Sequence, residues 1–112
     1  MIILAGPDDE GLTGALEALG AEVVRVEGIA TRDSLDAAGL DAAHTLVLTE
    51  MDDASAIPVA KEANTQVRIV TYSRESLPEF ASGQADLAID PALLPPDVVA
   101  DELANGHAEE RA

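Results

Sequence analysis

The residues with the most chemical potential stand just after the first apolar run. Ile2-Ile3-Leu4-Ala5 is followed by Gly6-Pro7-Asp8-Asp9-Glu10-Gly11-Leu12-Thr13-Gly14, a glycine-bearing turn that leads into a helical pattern. Such a turn presents backbone N–H groups and a helix N-terminus to a phosphate. Gly6, four residues, Gly11 and Thr13 follow the P-loop pattern, except that Leu12 occupies the place of the phosphate-binding lysine. The three glycines also suggest a dinucleotide loop, in the spacing G-x4-G-x2-G instead of G-x-G-x-x-G. Glu27, at the end of the second apolar run, then falls where an acid meets ribose hydroxyls. The same amides have a second claimant, because Asp8, Asp9 and Glu10 can cap the first helix and complement its dipole.

A second grouping is acidic: Asp8, Asp9 and Glu10 after the first run, Glu50, Asp52 and Asp53 after the third, and Asp90 after the fifth. Hard cations such as Mg²⁺ take oxygen ligands of this kind, although a chain with 22 acidic residues also gathers acids in loops for no ligand's sake. No nucleophile with a base is visible. Thr71 and Ser73 end the fourth run, but neither histidine, His44 before the third run or His107 in the tail, nor a lysine can be placed beside them. Arg74, just beyond, is a cation at the carboxyl edge that could meet an anion. The absence of cysteine excludes disulfides, thiolate metal sites and cysteine nucleophiles.

The elements that must position these residues follow from apolar patterning. Five β-compatible runs, Ile2–Ala5, Glu22–Glu27, Thr45–Thr49, Val67–Tyr72 and Asp86–Asp90, are separated by stretches too long for hairpins and sufficient for crossover helices. This predicts an α/β domain with a parallel sheet. Ile2–Ala5 and Leu46-Val47-Leu48 are apolar throughout, as strands covered on both faces must be, whereas Val23-Val24-Arg25-Val26 and Asp86-Leu87-Ala88-Ile89 carry charges. The first and third strands therefore belong in the centre. Right-handed crossovers then give a Rossmann-like or flavodoxin-like three-layer sheet of order 2-1-3-4-5, with its ligand crevice between strands one and three.

The first helix is expected over Gly11–Leu19 and a second segment over Thr31–Leu40, capped by Thr31. Pro58 implies that the third helix either bends or begins near Ile57, leaving Glu50–Ala56 as a loop over the crevice. A last helix, Val98–Ala104, follows Pro95-Pro96-Asp97. One domain, 1–104, and a disordered tail, Asn105–Ala112, account for the 112 residues.

The stretch Ala30-Thr31-Arg32-Asp33-Ser34-Leu35, Ala38-Gly39-Leu40, Ala43 to Thr49, Asp52-Asp53 and Gly83 to Pro91 resembles the TrkA N-terminal family, the NAD-binding Rossmann domains of potassium-transport regulators. The resemblance makes Gly6 and Gly14 the outer glycines of the loop, with Gly14 against the sheet, and Glu27 the ribose acid. It implies a non-catalytic regulatory module that binds NAD or another nucleotide through Gly6, Asp8, Asp9, Gly11, Gly14, Glu27, Thr49 and Asp52. The whole chain also resembles small haloarchaeal Rossmann-like proteins, some of which carry a CTP-synthetase label.

A rival resemblance is to receiver domains of two-component signalling. Gly20-Ala21-Glu22-Val23-Val24, Gly83-Gln84-Ala85-Asp86 and Asp90-Pro91 are similar to their second and fifth strands. Thr49 or Glu50 then falls near the phosphoacceptor position and Asp90 replaces the lysine before the proline. That reading implies a pseudo-receiver that works through a protein partner or as a homodimer.

Charge bounds the setting. Twenty-two acids against six bases, with Lys61 the only lysine, give a net charge of −16, which excludes casual binding to nucleic acid or anionic lipid. No run is long enough to span a bilayer, so a cytoplasmic location is expected. Mutual repulsion of sixteen charges at about 20 Å amounts to roughly 25 kcal/mol unscreened, about 3 kcal/mol at 0.1 M salt and almost nothing at molar salt. Against a domain stability of about 5–15 kcal/mol, this predicts adaptation to a salty cytoplasm. The midpoint of thermal unfolding, followed by circular dichroism, should rise steeply with KCl and flatten near ~1 M; an unchanged midpoint between ~0.1 M and ~2 M would refute the halophilic reading.

Overall fold

The computed structural model describes residues 1–75 and 83–109. Its five strands, β1 (Ile2–Ala5), β2 (Val23–Val26), β3 (Thr45–Leu48), β4 (Arg68–Tyr72) and β5 (Leu87–Ile89), form one sheet of order β2-β1-β3-β4-β5 in which every pair is parallel. This is the expected order. β1 and β3 sit side by side, with Ile2 opposite Thr45 and Ala5 opposite Leu48, and every residue of both strands is buried. The charged runs became the edges, where Arg25 of β2 is exposed.

Among the described residues four helices cover the two faces: α1 (Leu12–Ala18), α2 (Arg32–Ala37), α3 (Ala56–Ala63) and α4 (Pro96–Glu109). Alternation along the strands divides the core. Ile2, Leu4, Val47, Val70 and Tyr72 point towards Leu12 and Leu16 of α1 and Val99 and Leu103 of α4. Ile3, Ala5, Leu46, Leu48 and Ile69 point towards Leu35 of α2 and Ile57 and Ala60 of α3. Among the described residues Tyr72 is the one large aromatic in this aliphatic interior, and its hydroxyl donates to the carbonyl of Leu94 at 2.8 Å. Among the described residues no helix is long and apolar enough to cross a membrane.

Helix boundaries follow their caps. Thr31 accepts from the N–H of Ser34 at 3.1 Å while the Ser34 hydroxyl accepts from the N–H of Thr31 at 2.8 Å, a reciprocal box that starts α2. α2 ends at Ala37, and Leu40–Ala42 form a separate 3-10 turn. Pro58 lies in the first turn of α3, where an N–H would have no intrahelical acceptor, so α3 starts at Ala56 and the segment before it holds a 3-10 turn at Met51–Asp53. α4 is longer at both ends than Val98–Ala104. Its backbone continues through 105–109, and residues 110–112 of the expected tail lie outside the described residues.

Two glycines expected to act alike differ. Gly6 has φ +106°, and a Cβ there would strike the Thr49 hydroxyl and press on the Glu50 backbone. Gly14 is exposed on α1 and a Cβ there meets nothing within 4 Å. Gly14 therefore does not mediate the close helix–sheet packing assigned to the last glycine of a dinucleotide loop. Gly6→Ala should destabilise by about 2–3 kcal/mol, from a disfavoured φ and a displaced Thr49. Gly14→Ala should stabilise by about 0.5–1 kcal/mol, as an alanine in an exposed helix interior does. Chemical denaturation in molar KCl reads both; equal effects would refute the distinction.

Candidate functional site

A parallel sheet delivers its strand-to-helix loops to one edge, here Gly6–Gly11 after β1, Glu27–Ala30 after β2, Thr49–Asp53 after β3, Ser73–Glu75 after β4 and Asp90–Pro91 after β5. The first loop is closed on itself. The Asp8 carboxylate accepts from the N–H of Leu12 at 2.8 Å and from that of Thr13 at 3.0 Å, so the amides that would hold a phosphate already hold an anion. Of the three acids that could cap α1, only Asp8 does so. Asp9 is exposed, and Glu10 pairs with Arg74 at 3.6 Å.

Between β1 and β3 the expected crevice is stapled. The Thr49 hydroxyl donates to the carbonyl of Pro7, with the Ala5 carbonyl 3.4 Å away. This contact exists because Gly6 lacks a side chain where Thr49 approaches. It separates two hollows that share Pro7 and Glu50 as a common wall. One, of about 230 Å³, lies over β1, β3 and β4 and is lined by Asp8, Asp9, Glu10, Thr49, Tyr72 and Arg74 among others. The other, of about 460 Å³, lies over β2, β1 and β3 and is lined by Gly6, Arg25, Glu27, Ile29, Asp52 and Asp53 among others. The predicted site residues are thus divided: Asp8, Asp9 and Thr49 border the first, Gly6, Glu27 and Asp52 the second, and Gly11 and Gly14 neither.

Acids and amides dominate the electrostatics. Asp53 is buried, and its Oδ1 accepts from the N–H of Ala30 at 3.2 Å, tying the loop after β2 to the loop after β3. Glu50 accepts from the N–H of Asp52 at 3.5 Å and Asp90 from that of Ala92 at 2.8 Å. Burial raises the Tyr72 phenol above its ordinary 10.0, and the Glu10 carboxylate adds to the rise while Arg74 opposes it. Among the described residues no three metal-ligating side chains are gathered closely enough to hold an ion.

The cations are placed by topology. Arg74 is engaged by Glu10 across the first hollow. Arg25 is a second cation at this edge, missed in the sequence because only the register of β2, with Arg25 opposite Leu4, brings its Nη2 to the Gly6 carbonyl at 2.8 Å. Lys61 is at the other end of the sheet, where its Nζ donates to the carbonyl of Val67 at 2.9 Å and to Asp86 at 3.2 Å, and His44 lines the same hollow. Ser73 accepts from the N–H of Glu75 at 3.1 Å and Thr71 is buried. Among the described residues the carboxyl edge therefore offers hydrogen-bonding and charge, without a nucleophile beside a base.

Solved structures share this fold, two of them at high coverage. An orphan response regulator of H. pylori superposes with a TM-score of 0.68 at 15% identity over 92% of both chains. A putative pilus assembly-related protein from Burkholderia pseudomallei superposes with a TM-score of 0.66 at 18% identity over 96% of this chain and 88% of that one. Identities this low establish the fold alone. No curated protein matches the sequence. A family model described as "Family of unknown function (DUF7126)" matches residues 2–103, which take in all five strands and the first half of α4, and the chain belongs to that family.

Proposed function

We propose that this protein is a receiver-like regulatory module that acts through protein contacts and lacks phosphoacceptor chemistry. The likeness of its fold to a response regulator supports the receiver-like part. The position of Lys61 carries the rest. Phosphoryl transfer to a carboxylate needs cations to neutralise the developing charge, and the chain's only lysine is held by Val67 and Asp86 at the amino edge of the sheet. At the carboxyl edge the residue near the phosphoacceptor position is Thr49, whose proton goes to the Pro7 carbonyl, or Glu50, which accepts from the N–H of Asp52. The lysine position is taken by Asp90, which caps the turn at Ala92.

A second reading, nucleotide binding as in the TrkA N-terminal family, is favoured by the hollow at Gly6, Glu27 and Asp52, where an exposed acid stands at the end of β2. Its obstacle is Asp8 on the α1 amides. In that reading the ligand would be held by its ribose and base, with weak purchase on phosphate.

One NMR titration in molar KCl separates the two. Beryllofluoride with Mg²⁺, which mimics a phosphorylated carboxylate, should leave the amides of Thr49–Asp53 unmoved; saturable shifts there would refute the absence of phosphoacceptor chemistry. NAD, ATP and CTP at millimolar concentration should likewise shift nothing. Shifts confined to Gly6, Glu27–Gly28 and Asp52–Asp53 would establish the nucleotide reading in its place.

A further inference from the structure

The residues between β5 and the second turn of α4 expose apolar surface that the fold does not use. Leu93 is 78% exposed, Leu94 40% and Val98 46%, three of the five exposed large apolar side chains among the described residues, all within six positions. α4 meets the sheet through Val99, Ala100 and Leu103, which are buried, so Val98 is turned away from the core. The segment is nevertheless held firmly. The N–H groups of Leu93 and Leu94 donate to the Asp90 carbonyl at 2.9 and 3.1 Å, the Ala92 N–H to the Asp90 carboxylate, and the Tyr72 hydroxyl to the Leu94 carbonyl. Pro95 and Pro96 fix the backbone beyond. An apolar surface already ordered costs little further entropy on docking.

The rim of this surface is acidic. Asp97 and Asp101 are both exposed and stand one turn apart on α4, and Asp101 lies a turn beyond Val98 on the same side. The cations of the adjoining strand and loop, Arg68 and Arg74, are each drawn to an acid, Glu102 at 3.6 Å and Glu10 at 3.6 Å. A second copy of the chain would bring its own Asp97 and Asp101 to the contact and carry a further net charge of −16, which opposes self-association. We infer that Leu93, Leu94 and Val98, rimmed by Asp97 and Asp101, form the docking surface for a basic amphipathic helix of a partner protein, whose apolar residues cover the leucines and valine and whose Lys or Arg side chains meet the two aspartates. The inference rests on the reading of this chain as a protein-contact module and names the chemistry of the partner.

The test uses the full chain, isotope-labelled, in ~0.5 M KCl, with a synthetic Leu/Lys peptide of about 14 residues whose leucines recur at helical spacing. Saturable amide shifts are expected at Leu93–Leu94 and Val98–Asp101. Leu93→Ser with Val98→Ser, both at exposed positions, should weaken binding about tenfold or more, and Asp97→Asn with Asp101→Asn about three- to tenfold. Leu19→Ser, elsewhere on the surface, should change nothing. Three outcomes would overturn the proposal. A scrambled peptide of the same composition binding equally well would make the contact bulk electrostatics. A peptide with Glu in place of Lys binding equally well would remove the aspartates from it. Concentration-dependent shifts at Leu93–Asp101 without peptide would make a second copy the occupant. Beryllofluoride shifts at Thr49–Asp53 would count against the absence of phosphoacceptor chemistry alone and leave the peptide result standing.

Discussion

A carboxylate accepting from a backbone N–H is the contact on which the loops of this molecule depend. Asp8 takes the first amides of α1, Asp53 takes Ala30, Asp90 takes Ala92, and Asp86 takes the N–H of Ile69 at 2.7 Å. Strand-to-helix loops expose N–H groups that must find acceptors, and a chain so rich in acids supplies them from its own side chains. Each such cap contributes on the order of 1 kcal/mol. Together they bind neighbouring loops: Asp53 joins the connections after β2 and β3, and Asp86 joins the start of β5 to β4 and, through Lys61, to α3.

Self-capping has a functional counterpart. The feature that makes a Rossmann-type edge attractive to phosphate is a set of unclaimed amides at the first helix, and here Asp8 claims them. The Thr49 staple then closes the space between the central strands, which leaves two shallow hollows of unlike character in place of one crevice. What remains available to a partner is side-chain surface: acids along the carboxyl edge and, beyond Tyr72, the leucines anchored by its hydroxyl.

The strands and their order were legible because each depends on a local property. Uninterrupted apolar runs at Ile2–Ala5 and Leu46–Leu48 mark strands buried on both faces, and the charged Arg25 marks an edge. The Thr31 cap was legible for the same reason, since its partner Ser34 is three residues away. The site was legible only in outline. Placing Glu27 and Asp52 at the carboxyl edge needed topology alone, whereas finding that Asp8 rather than Asp9 or Glu10 reaches the α1 amides needed the turn geometry of the loop. Arg25 on the Gly6 carbonyl and Thr49 on that of Pro7 join residues distant in sequence, through a register that no apolar pattern encodes. Gly14 misled because its spacing fits a glycine loop while its face on α1 points to solvent.

The placement of Lys61 has a practical corollary. As the only primary-amine side chain in the sequence, half-buried beside Val67 and Asp86 at the amino ends of β4 and β5, it gives the molecule a handle with a direction. A tether or fluorophore coupled to that side chain would sit a full strand length from Asp8, Thr49 and Tyr72. A surface bearing the protein through Lys61 would then display the carboxyl-edge loops outward in uniform orientation.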